Sequence, residues 1–162
     1  MSLSFFVPEL ILSAGILLVV TLGLIRKDKN SLLNFACLTF LALSLLAIVL
    51  NWTSYASPTK LFGGMARSDD FSAYLKILFN IAGILSAVMT WRRKKEQLHL
   101  SEYYALILAV VLGAHLLVMS TNLIMVFISM ELISISSYAL AGFSFSKQGA
   151  EGSLKYFLFG SV

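Results

Sequence analysis

The chain has 162 residues, 59% hydrophobic and only 12% charged, with a formal net charge of +4 and a mean hydropathy of +0.88. A soluble domain carries about 25% charged residues to solvate its surface, so the composition excludes one and points to an integral membrane chain. The positive balance is no nucleic-acid footprint either. Eight of the 12 Lys and Arg residues sit in "RKDKN" (26–30), "ARSDD" (66–70) or "WRRKKEQ" (91–97), at the ends of apolar runs and without interleaved aromatics.

A helix needs about 20 apolar residues to cross a hydrocarbon core of roughly 30 Å. The first such run covers 5–25, with Pro8 in its first turn, where a missing N–H costs little. No basic n-region precedes it and no small-residue cleavage site is present, so it reads as a retained helix and not as a removed signal peptide. The second run, 32–52, holds the lone Cys37, which excludes an intrachain disulfide and says nothing about redox compartment. A loop over 53–70, with Pro58 and Gly63-Gly64, is the one long connection before the third run at 71–91. Glu9 and Lys76 each lie within about two turns of the same membrane surface, where hydration tolerates a charge, and both are expected to be interfacial anchors.

The stretch 103–143 would be about 60 Å long as one helix, twice the core thickness. It therefore divides at the polar "MSTN" (119–122) into spans 103–120 and 122–143, and a sixth run occupies 150–162 without reaching spanning length. Loop charge tests this count. Segments after spans one, three and five carry Arg26, Lys27, Lys29, Arg92, Arg93, Lys94, Lys95 and Lys147, against Lys60 and Arg67 after spans two and four. The positive-inside rule then puts the N-terminus on the non-cytoplasmic side. The fold class expected is an all-α polytopic transmembrane bundle over 1–162 as one membrane-embedded region, with five complete spans and the start of a sixth.

Glu131 stands near the middle of span five in the uncharged run "FISMELISISSYAL" (127–140). A charge at that depth costs roughly 2.5–3.5 kcal/mol on insertion scales and usually faces protein or water. Helical spacing puts Phe127, Ser134, Ile135 and Tyr138 on its face, and two of these can donate hydrogen bonds to a carboxylate. A titrating site in a proton or ion path is favoured over a protonated acid acting as interhelical glue. Lys155 follows Glu151 by four residues, in the order that suits an ordinary ion pair. His115 has no partner at metal-ligand spacing and His99 lies in a loop; a hydrogen bond across helices is favoured over a relay for His115, which is retained as candidate support. Met119, Met125 and Met130 read as lipid-facing or packing residues. No P-loop, dinucleotide fingerprint, CxxC or internal repeat is visible.

"EYYALILAVVLGAHLLVMSTNLIMVFISMELISISSYALAGF" followed by "AEGSLKYFLFGS" closely resembles the antiporter-like membrane subunits of respiratory complex I. "DDFSAYLK" (Asp69 to Lys76) and "PEL" (8–10) add to the likeness, which is strongest for the subunit N group and covers essentially the whole chain. The resemblance implies a fourteen-helix subunit of which this would be roughly the first third. It also implies a fifth-helix glutamate, matched by Glu131, that works with a lysine beyond Val162, and a sixth-helix lysine on the same polar axis, matched by Lys155. That reverses the plain ion-pair reading of Lys155. The implied function is a proton-translocating subunit of the NADH:quinone oxidoreductase in a bacterial plasma membrane, partnered by other membrane subunits, lipid, protons and the complex's quinone. The implied chain has no cofactor or metal of its own, NADH, FMN and iron–sulfur chemistry belonging to other subunits, and the 162 residues alone are expected to be inactive. Alternatives are a subunit of a multi-component Na+/H+ antiporter or membrane-bound hydrogenase, and a structural scaffold in which Glu131 is glue.

Overall fold

The computed structural model describes residues 3–25, 30–55, 58–91, 100–144 and 146–160. After a 3-10 turn at Leu3–Phe6, the long helices are α1 (Val7–Ile25), α2 (Asn30–Leu50), α4 (Asp70–Trp91), α5 (Leu100–Met119) and α6 (Leu123–Ala141). These five are long and apolar enough to cross a membrane. The short α3 (Trp52–Tyr55) follows α2, and α7 (Lys147–Gly160) has 14 residues. The basic clusters at 26–29 and 92–95, His99 and the end of the sixth run at 161–162 lie outside the described residues.

Helix ends coincide with polar residues that satisfy the free amides of a first turn. At α4, Asp69 Oδ1 accepts from Ser72 N at 2.9 Å, and Ser72 Oγ accepts from Asp69 N at 3.0 Å, a reciprocal cap. Asn122 caps α6 by accepting from Ile124 N at 3.0 Å, so the polar break between spans four and five is a helix start. Ser146 Oγ accepts from Gly149 N at 3.0 Å ahead of α7.

Helix α5 packs against α1, α4 and α6, α1 also packs against α2, and α2 against α4. The core between α1, α2, α4 and α5 is Leu12, Val19, Leu33, Cys37, Leu41, Ala87, Tyr104, Ile107, Leu108 and Val111. On the far side of α5, Gly113 lets α6 approach closely. A Cβ there would stand 2.8 Å from Ile133 Cγ1 and 3.3 Å from Ser129 O. The outer face of α6 is open, with Leu123, Ile124, Phe127, Ile128, Met130 and Ile135 all exposed. Helix α7 rests on α6 through Tyr138, whose ring meets Tyr156 at 4.8 Å and Phe157 at 5.6 Å.

The connection expected as plain loop contains a β-hairpin, a departure from an all-helical chain. Strands β1 (Thr59–Leu61) and β2 (Ala66–Ser68) pair antiparallel with Leu61 opposite Ala66. Phe62, Gly63 and Gly64 turn it at φ of 52°, 66° and 93°. Glycine reaches that region freely, and Phe62 adopts it at a cost. Three-residue strands are too short to announce themselves by alternation, and an isolated two-stranded hairpin is marginal. Packing holds this one: Leu61 and Ala66 join Phe5, Ile48, Tyr55, Ala73 and Met119 in a second buried cluster. Thr121 N also donates to Met65 O at 3.0 Å, tying the hairpin to the α5–α6 turn.

Replacing Gly113 with Val is expected to force α6 away from α5 at a cost of about 1–3 kcal/mol, the usual range for overpacking. Thermal unfolding of the protein in lipid nanodiscs checks it, with Gly152→Val as the control, since nothing lies within 4 Å of that position.

Candidate functional site: a buried carboxylate, ammonium and imidazole

The second buried cluster roofs over three ionisable groups. Glu9 comes from the first turns of α1, Lys76 from the second turn of α4 and His115 from the last turn of α5, and all three are fully buried. Lys76 Nζ lies 2.8 Å from Glu9 Oε1, and His115 Nδ1 lies 3.2 Å from the same oxygen. The expectation of interfacial anchors at Glu9 and Lys76 is therefore overturned. They stand near the starts of α1 and α4, but the hairpin, Phe5 and Tyr55 cover them where hydration was assumed. The hydrogen bond across helices expected for His115 is present.

Each side chain has further polar neighbours. His115 Nε2 is 3.1 Å from Asn80 Nδ2 and 3.3 Å from Lys76 O. Asn80 Nδ2 also reaches Lys76 O at 3.2 Å and Ser44 Oγ at 3.4 Å. With Nδ1–H donating to the carboxylate, Nε2 carries the lone pair that accepts from Asn80, the neutral tautomer this geometry fits. The Glu9–Lys76 contact is ionic and not a well-aligned hydrogen bond. Lys76 Nζ, Glu9 Oε2 and Asn80 Oδ1 all lack a hydrogen-bond partner among the described residues. The Lys76 ammonium also stands 5.7 Å from the Tyr55 ring centroid, within cation–π range. Burial first, and then the nearby Glu9 charge, push the Tyr55 hydroxyl well above the ordinary tyrosine value.

Of the site residues singled out from sequence, His115 lies in this cluster and the others lie elsewhere. Glu131 is the ninth residue of α6 and is exposed, with no ion pair or hydrogen bond to its side chain among the described residues. It cannot face the buried cluster. Ser129 O lies against Gly113 of α5, and two residues on is about 200° round the helix. Lys155 Nζ pairs with Glu151 Oε1 at 2.7 Å, both more than half exposed, as the plain reading of their spacing had it. Neither expected support reaches Glu131 here. Tyr138 packs on α7, and Ser134 O accepts from Ser137 Oγ at 2.8 Å.

No family model matches the chain. It is 35% identical to NADH-quinone oxidoreductase subunit N of Chlorobium chlorochromatii over 99% of this chain and 32% of that protein. It is 36% identical to subunit N 2 of Chloroherpeton thalassium (98% and 32%) and 36% identical to subunit N of Anaeromyxobacter sp. (97% and 31%). The chain belongs to the subunit N family. It spans about a third of the length of the curated relatives it matches. Among solved structures it is similar to a chain of respiratory complex I from Thermus thermophilus with bound aureothin, with TM-score 0.78 and 27% identity over 95% of this chain and 33% of that one. The membrane-bound sulfane sulfur reductase, an archaeal respiratory membrane complex, shares the fold at TM-score 0.85 and 19% identity, over 99% of this chain and 34% of its own. Like its relatives in that fold, this subunit N family chain is an integral membrane protein.

Two expectations follow from the buried cluster. Glu9→Ala leaves the Lys76 charge buried without its partner and should cost about 3–5 kcal/mol, whereas the double replacement Glu9→Gln with Lys76→Met should cost much less; unfolding of both in lipid nanodiscs checks the order. Tyr55 is held neutral in the fold, so its contribution is complete below about pH 10, the ordinary tyrosine value. It should be lost as pH rises above that toward the elevated value, because the unfolded chain releases a proton that the folded one keeps. Stability measured from pH 9 to 11.5 should fall more steeply for the wild type than for Tyr55→Phe.

Proposed function

We propose that the chain is part of the proton-translocating membrane arm of an NADH:quinone oxidoreductase in a bacterial plasma membrane. There it couples electron transfer from NADH to quinone with proton pumping. The single observation that carries this reading is Glu131, a lone carboxylate midway along an otherwise uncharged spanning helix in a chain matching subunit N relatives over 97–99% of its length. Desolvation favours the neutral acid and an approaching ammonium favours the carboxylate, so a lysine that moves relative to Glu131 makes it take up or release a proton. Lys155, on the helix packed against α6, is the relay neighbour within these residues. Other subunits supply the redox cofactors, and other membrane subunits are the partners. The N-terminus, and with it the hairpin, faces the non-cytoplasmic side.

The fold shared with the archaeal sulfane sulfur reductase complex favours, as a second reading, a subunit of a related ion-translocating respiratory or antiporter assembly. The test is Glu131→Gln in the intact complex in sealed vesicles. Assembly and NADH oxidation should persist while protons translocated per NADH fall sharply; an unchanged ratio would refute the role of Glu131.

A further inference from the structure

The residues proposed to carry the relay leave the Glu9, Lys76 and His115 cluster unused. We infer that His115 is a second proton-holding residue, loaded at Nε2 from the hairpin end of the bundle, with Glu9, Lys76 and Asn80 as its positioning residues. This rests on the proton-translocating reading above and adds a site to it.

The first argument is that both ring states find partners. In the neutral ring, Nδ1–H donates to Glu9 Oε1 at 3.2 Å and Nε2 accepts from Asn80 Nδ2 at 3.1 Å. When a proton binds Nε2, that atom becomes a donor. Lys76 O already lies 3.3 Å away, and Asn80 Oδ1, unpaired among the described residues, swings into reach when the amide turns over. A histidine serving only as a strut needs one of these arrangements. Here the second is prepared by an orphan acceptor that is otherwise a cost. The step is a simple gain of H+, B + H+ to BH+, and takes the cluster from net zero (Glu9 negative, Lys76 positive) to plus one. Lys76 opposes the added charge and Glu9 favours it.

The second argument is that the hairpin end of the bundle is the nearer one. Toward the opposite end of the bundle the next layer between α2, α4 and α5 is tightly packed, although Gly83, Val111 and Ala114 also line a cleft with Tyr103 and Leu140. A Cβ at Gly83 would be 2.7 Å from Val111 Cγ2 and 3.2 Å from Leu41 Cδ2, and Cys37, Leu108 and Ala87 are buried beyond them. Polar groups resume at Asn34, whose Nδ2 donates to Ala87 O at 3.2 Å and to Tyr104 OH at 2.7 Å. The seven-residue step along α4 from Asn80 to Ala87 makes this packed layer about 10 Å thick. On the hairpin side His115 stands four residues from the end of α5, about 6 Å, beneath Phe5, Tyr55, Leu61, Ala66 and Met119, and the buried Tyr55 hydroxyl in that cover has no partner among the described residues. The groups facing His115 are Glu9 of α1, Lys76 and Asn80 of α4, with Ser44 of α2 behind Asn80 and Tyr55 of α3 beside Lys76.

The test compares His115→Gln, Glu9→Gln with Lys76→Met, and Glu131→Gln in the intact complex in vesicles. Protons per NADH are counted on assembled complex across a pH series, and histidine ring bands are followed by infrared difference spectroscopy after a pH jump. The expected result is that His115→Gln and the charge-free double variant assemble and lose proton translocation to the level of Glu131→Gln. A ring band present in the wild type and absent from His115→Gln should mark the loaded state. The inference is overturned if His115→Gln pumps with the wild-type ratio and pH profile, if its loss is confined to the amount of assembled complex, or if no ring band depends on His115. Failure of Glu131→Gln to alter pumping refutes the relay role of Glu131. Failure of the His115 and double variants alone refutes only this inference.

Discussion

One ion pair constrains the hairpin end of this molecule. A carboxylate and an ammonium removed from water each lose several kcal/mol of solvation, which only close mutual contact and further polar neighbours offset. Glu9 and Lys76 meet at 2.8 Å with no exposure. Their meeting fixes the depth of α1 against α4, and His115 on the same oxygen fixes α5 against both. A helix slid by one turn along its neighbour would move a charge by about 5.4 Å and break the set. The apolar packing of Leu12, Leu41, Leu108 and Val111 tolerates such a slip far better, because hydrophobic contact is not directional. The charges therefore set register and the hydrocarbon side chains fill the space around them.

The hairpin completes that arrangement. Its two strands bring Leu61 and Ala66 over the ends of α2, α4 and α5, and Tyr55 lies beneath them next to the Lys76 ammonium. Without this cover Glu9 and Lys76 would sit at a wet interface and their pairing would be worth little. A short irregular connection thus changes the physics of three residues on three other segments. Helix α5 separates the cluster from Glu131, which lies on the side of α6 turned away from α5. In the proposed function, these are two ionisable stations with no polar path joining them among the described residues.

Much of the fold was legible because the membrane imposes one rule: an apolar run of about 20 residues must become a helix that satisfies its own backbone. The starts of α4 and α6 are marked by Asp69 and Asn122, and length requires the division that the polar "MSTN" places. The hairpin was not legible, since "TKL" and "ARS" are too short to carry a period and draw their stability from distant Ile48 and Met119. The buried cluster was half legible. Glu9, Lys76 and His115 stand at matching depths once the helices are threaded up and down, a signal present in the sequence. What hid it was the assumption that a charge two turns inside a span meets water. Glu9 and His115 are also 106 residues apart, so no local spacing joins them. The isolation of Glu131 in an uncharged run, and for Lys155 the family resemblance, directed attention away from the groups that this part of the chain buries most deeply.

The charge state of Glu9 decides the account most directly. Infrared spectra of the protein in lipid, taken as the difference between wild type and Glu9→Gln, separate a carboxylate from a carboxylic acid. The account predicts the ionised carboxylate at neutral pH, with a band that responds to Lys76→Met. A neutral carboxyl band at Glu9, unchanged when Lys76 is replaced, would contradict it.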